Sequence, residues 1–172
     1  MPVFTLDGRA VLAQTLLNTT MFLAIGEGDP AWDSLPPPST PEEQDLLDAE
    51  MASQETLVSA LGVTRTREKF FVTPDENGTI LMADGAKYSK SVERTRHLYI
   101  RFQLDLDDAT GTTIREAGIL VWTNIKDSVP EGQMYVPGAQ LNDYGLMMQS
   151  DRFPPIVRDG SVGASFSYVM TF

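Results

Sequence analysis

The chain has 172 residues, no cysteine, and 13 Lys and Arg against 24 Asp and Glu, a formal net charge of −11. That acidity argues against nucleic acid or an anionic membrane surface as a partner, and the missing thiol excludes thiolate catalysis and cysteine-bound zinc. At this length one domain over 1–172 is the expected organisation, able to bury roughly two-thirds of its unfolded surface without disulfides or metal. No apolar run approaches the ~20 residues of a membrane span, so no membrane insertion is expected. The first residues lack a basic stretch followed by a long apolar one, so the expected place is the cytoplasm, where the chain is made and kept or assembled into something larger.

Asp7 is placed to cap a helix over residues 8–17, with Val11, Leu12, Leu16 and Ala13 on its buried face. Residues 19–25 are apolar and partly β-branched, and Gly26 and Gly28 close them as a buried strand. Pro30 and the run Pro36, Pro37, Pro38 then force an extended loop over 26–40. Trp32, inside that loop, either packs it onto the body or docks a partner. Thr40, Pro41 and Glu43 make a helix start with a capping box. The helix reads as running over 41–61 and stopping at Gly62, with Leu47, Met51, Val58 and Leu61 as its apolar stripe.

From Val63 the pattern turns to period two. Residues 69–73 read as a strand, Asn77 and Gly78 as the positive-φ pair of a turn, and 79–82 as the return. Leu98, Ile100, Phe102, Leu104 and Leu106 alternate with polar residues, which places His97 on a solvated face. A turn at 107–111 leads to a paired strand over 113–122, with Trp122 on the same face as Ile114 and Leu120. Residues 124–150 form an irregular excursion with one short helix around 141–148. Phe166, Tyr168, Met170 and Phe172 alternate in a closing strand. The fold class is therefore α+β, a mostly antiparallel β-sheet with two main helices.

Little in the chain suggests chemistry. Read as a calcium loop, residues 105–116 put Asp105, Asp107 and Glu116 at ligand positions, but Ala109 stands where an oxygen ligand is needed. A lone histidine builds no zinc site of familiar spacing. Neither a nucleophile elbow nor a phosphate-binding glycine loop is present. Alternation places Glu116 on an apolar face, where a carboxylate needs a partner. Arg94, Arg96, Arg101 and Arg115 are the candidates, unless a bulge at Gly118 turns Glu116 outward. The basic residues cluster at Arg65, Arg67, Lys69 and at Arg94, Arg96, Arg101, which suits internal pairing, an acidic neighbouring copy, or a plain solvated face. No catalytic residue, metal or cofactor is assigned.

Several stretches, in order, carry a resemblance. They are the segment opening at Leu6, the strand and glycine turn from Phe22 to Gly28, and Trp32 with the proline run. The capped acidic helix follows, then Val72 to Gly78, the strand from Leu98, Ile114 to Ile119, Phe153 to Val157, and the close from Phe166 to Phe172. Together they resemble the phage tail-collar fibre protein family and the N-terminal regions of phage tail and baseplate proteins. The resemblance implies a non-enzymatic virion component of the tail, present in several copies in a symmetric assembly, that joins a fibre or another subunit to the tail or baseplate. Ending at Phe172 shifts the expectation from a fibre to an adaptor. Trp32, Pro36, Pro37, Pro38, Tyr135 and Tyr144 are the expected partner contacts, and Glu116, Arg101 and Arg115 the expected structural residues. The rivals are a carbohydrate- or receptor-binding module using Trp32, Tyr135 and Tyr144, and a glycoside hydrolase pairing Glu116 with Asp105 or Asp107.

Overall fold

A computed structural model describes residues 2–172. In chain order the elements are α1 (Leu6–Asn18), β1 (Met21–Gly26), α2 (Pro41–Ala52), β2 (Ala60–Pro74), β3 (Ile80–Leu81), β4 (Lys87–Lys90), β5 (His97–Leu104), β6 (Thr113–Val121), β7 (Asn124–Ile125), β8 (Tyr135–Pro137), β9 (Leu141–Asp143), β10 (Leu146–Val157) and β11 (Ala164–Thr171). The α+β class, with two helices and mostly antiparallel sheet, is as expected. The chain forms two compact units. One comprises the residues up to Thr20 with Thr66–Gln103 and Ser165–Phe172; the other comprises Met21–Arg65 and Leu104–Ala164.

In the second unit β1 runs antiparallel between the first half of β2 (Phe22 opposite Arg65) and β6 (Phe22 opposite Leu120). Neighbours on both edges and cover on both faces explain its uninterrupted apolar run. β10 adds to the far edge of β6, and β8 to β2. Phe22, Ala24, Val63, Leu120, Val136 and Leu141 form the core together with Leu57.

In the first unit the second half of β2 pairs with β5 (Lys69 opposite Ile100) and then with β4 (Val72 opposite Lys90), while β11 pairs with β5. The N-cap of α1 is Thr5, whose hydroxyl accepts from the Gly8 amide, rather than Asp7. Its buried face also differs from the expected one. Ala13 is buried as expected and Ala10 joins it, but Val11 and Leu12 are exposed, because small side chains let the helix backbone approach its support. Lys69 Nζ donates to the Leu16 and Thr19 carbonyls and satisfies the helix end.

Other sequence expectations are corrected. The second helix stops at Ala52, not at 61. Ser53 closes it by bonding back to Glu50, and Leu57 leaves the helical register to enter the core. The capping box forms, with the Glu43 carboxylate accepting chiefly from the Ser39 amide and hydroxyl and more weakly from the Thr40 amide. Positive φ occurs at Gly85, in the β3–β4 turn, and neither at Asn77 nor at Gly78; β3 pairs with β4, not with residues 69–73. The expected helix around 141–148 is strand instead, in β9 and β10, because Gly145 breaks the run. Leu106 lies outside β5 and is exposed.

His97 is buried rather than solvated. Its ring bonds the Thr171 hydroxyl of β11 at 2.8 Å, faces the Tyr88 ring, and lies beside Arg96. Burial first, and the Arg96 charge second, pull its pKa down from 6.5. The unfolded chain therefore binds a proton that the folded one resists, and stability falls as pH drops below about 6.5. Urea midpoints taken from pH 7.5 to 5.5 should decline in the wild type, and His97→Gln should remove most of that slope.

Candidate docking surface

The proline-rich loop is held at four points, all within the second unit. Asp29 caps a short 3₁₀ turn, Pro30–Ser34, by accepting from the Ala31 amide at 2.8 Å. Arg115 grips Asp33 through two parallel bonds of 2.8 Å, and its remaining nitrogen donates to the Glu27 carbonyl at 3.1 Å. The hydrogen bonds from Arg115 hold the Asp33 carboxyl below the usual carboxylate range. The Arg152 guanidinium lies over the Trp32 ring, 4.2 Å from its centroid, and bonds Glu50 of α2 at 2.8 Å. Gly28 lies beneath the Trp32 ring at φ +61°, where any side chain would strike the indole.

Trp32 thus packs the loop onto its own unit, one of the two roles its sequence context allowed. What the loop presents outward is Leu35, extended and exposed, followed by Pro36, Pro37 and Pro38, all exposed. Tyr135 and Tyr144 are half-buried. Burial pushes the Tyr135 phenol up to about 12 and the Tyr144 phenol upward, and Tyr144 packs against the core.

Glu116 is 1% exposed, and among the described residues it has no arginine partner. Its two oxygens accept from the backbone amides of Val58 (3.1 Å) and Ser59 (2.9 Å). This explains the early end of α2, since a helix continuing to residue 61 would direct those amides to its own carbonyls. The β1–β6 register runs unbroken past Gly118, so no bulge turns the carboxylate outward. Gly26 makes room for it, because a Cβ there would strike Glu116 and come within 2.8 Å of the Ser59 carbonyl. Arg115 bonds Asp33, and Arg101 bonds Glu68 at 2.9 Å.

The residue that the sequence misplaced is Trp122. Instead of facing the core with Leu120 it is 72% exposed, at φ 60°. The left-handed region is rare for a bulky side chain and costs on the order of 1–3 kcal/mol, so surrounding structure must impose it. That structure is visible. Val121 is paired with Leu146, Thr123 Oγ1 donates to the Tyr144 carbonyl at 2.8 Å, and Asn124 pairs with Asp143. Leu146 and Met148 leave more apolar surface on the same end of β10. No local sequence signal marks this reversal, because the apolar alternation continues through Trp122.

Among the described residues no group of three or more His, Asp or Glu could hold a metal ion. The turn at Asp105–Asp108 instead aims its backbone carbonyls at a buried arginine. Arg158, 2% exposed, donates to the carbonyls of Asp105 (2.5 Å), Asp108 (3.2 Å) and Val162 (2.7 Å).

No curated protein matches the chain. A sequence model of the family described as baseplate wedge 3 tail fiber network component matches residues 1–172. The chain belongs to that family, and it is a structural component of a phage tail baseplate and its fibre network.

Proposed function

We propose that this protein is a non-catalytic adaptor, present in several copies in the assembled tail, that docks neighbouring baseplate or fibre subunits. Its contacts are Trp122 with Leu146, and the preformed segment Leu35 to Pro38. The observation that carries the reading is the exposed indole of Trp122 in a backbone conformation that its own side chain disfavours. Strain held at an exposed aromatic is most simply kept for a contact. The proline segment suits the same role, because an already extended chain loses little entropy on binding. Trp32 acts indirectly, by fixing that segment, and Tyr135 and Tyr144 support the surface from behind.

Trp122→Gly is the informative variant. It relieves the positive φ, so the isolated protein should be unchanged or about 1 kcal/mol more stable. Its incorporation into tails, measured by mass spectrometry of purified particles, should fall about tenfold. Normal incorporation would remove Trp122 from the site. A glycan-binding module has less support, since Arg152 covers a face of Trp32 and burial takes up both tyrosines. The hydrolase reading has less still, since both Glu116 oxygens are occupied by amides away from solvent.

A further inference from the structure

Helix α2 has no buried residue. Its Leu46 is 73% exposed, with Glu42, Glu43 and Glu50 at i−4, i−3 and i+4 and the exposed Asp45 beside it. Glu43 also accepts from Ser39 and Glu50 from Arg152, which leaves Glu42 and Asp45 as the carboxylates most open to a partner. The helix thus presents an apolar knob ringed by carboxylates, with nothing of its own unit covering that knob.

A complementary surface exists in the other unit of the same chain. The segment from β4 to the start of β5 carries Lys87, Lys90, Arg94 and Arg96, all exposed, and Val92 stands between Lys90 and Arg94 at 95% exposure. Among the described residues none of these four cations forms an ion pair. Glu93, also exposed, stands next to Val92, so the segment is an apolar knob among four cations and one carboxylate, the opposite balance to α2. The two units differ in charge as a whole. The first holds 8 Lys and Arg against 6 Asp and Glu, and the second 5 against 18, so the units carry +2 and −13. A chain divided this way attracts its own copies in one orientation and repels them in the other.

We propose that the basic β4–β5 segment of one copy docks on the α2 face of a second copy, with Val92 against Leu46 and the lysines and arginines against the surrounding carboxylates. Apolar contact at the centre supplies adhesion, and the charged rim sets orientation. Two different surfaces meet, so the contact is head-to-tail and either closes a ring or extends into a chain. This deepens the adaptor reading by naming one partner as the protein itself, but it does not depend on Trp122.

The test uses the whole purified protein in light scattering at about 50 mM and about 500 mM salt, between which exposed charges become largely screened. Wild type should gain mass with concentration at low salt and lose most of that gain at high salt. Lys87→Glu with Arg94→Glu should weaken self-association at least about tenfold, as should Glu42→Lys with Asp45→Lys. Each of these variants alone should stay monomeric, and an equal mixture of the two should associate again, because reversed cations then meet reversed carboxylates. The milder Val92→Ser and Leu46→Ser variants address the same contact if a charge reversal fails to fold. A wild type that stays monomeric at low salt overturns the proposal, as does association that both reversals leave intact. Trp122→Gly should associate as wild type does, which separates this outcome from failure of docking in particles.

Discussion

Replacing Arg158 with alanine is expected to cost about 3 to 5 kcal/mol of folding free energy, a large share of the 5–15 kcal/mol typical of a domain. The guanidinium occupies the centre of two turns and satisfies carbonyls at Asp105, Asp108 and Val162. Its backbone joins the same arrangement, since its amide donates to Thr112 and its carbonyl accepts from Gly111. Removing the side chain leaves three carbonyls without their donor and a cavity at a site that is 2% exposed. Lysine keeps the charge but cannot reach three carbonyls from one nitrogen in the fixed geometry of the fork, so Arg158→Lys should recover less than half of the loss. Urea denaturation of the three proteins decides the matter. A loss below about 1 kcal/mol for alanine would show that the turns hold themselves.

The second large effect belongs to Glu116. Glu116→Ala should cost about 3 to 5 kcal/mol, because the Val58 and Ser59 amides lose a charged acceptor in a place where water does not reach the carboxylate. Glu116→Gln should cost less than alanine, since its carbonyl still accepts one bond, although its amide nitrogen then faces the other N–H. The alanine variant should loosen residues 53–59 first. Hydrogen exchange at Val58 and Ser59 should therefore rise more than exchange in β1, and equal rises would mean that the carboxylate supports the whole unit rather than this connection.

The strands of period two were legible, because alternation such as Leu98, Ile100, Phe102 and Leu104 survives tertiary packing. The start of α2 was legible as well, since Thr40, Pro41 and Glu43 act locally. Its end was not. What stops the helix is the demand of Glu116 for two amides, a contact across 57 and 58 residues of chain that no local pattern encodes. Burial of His97 was hidden for the same reason, as its partner Thr171 lies 74 residues away. The exposed, extended course of the proline run was readable from its conformational restriction. The exposure of Trp122 was not, because pairing of its neighbours, rather than its own preference, turns it outward.

The order of the segments in the first unit has a consequence for how the molecule comes into being. Its three pieces are separated in the chain by the two stretches that make the second unit. Residues 21–65 and 104–164 can meet each other before Phe172 reaches its bond with the Arg96 carbonyl or Thr171 reaches His97. Closing contacts of such long sequence separation is slow relative to local ones. On a ribosome the acidic half is therefore complete while the basic half still lacks its closing strand. Its cations become a finished surface only once residues 165–172 have emerged, so chains still short of that strand present acidic, mutually repelling faces.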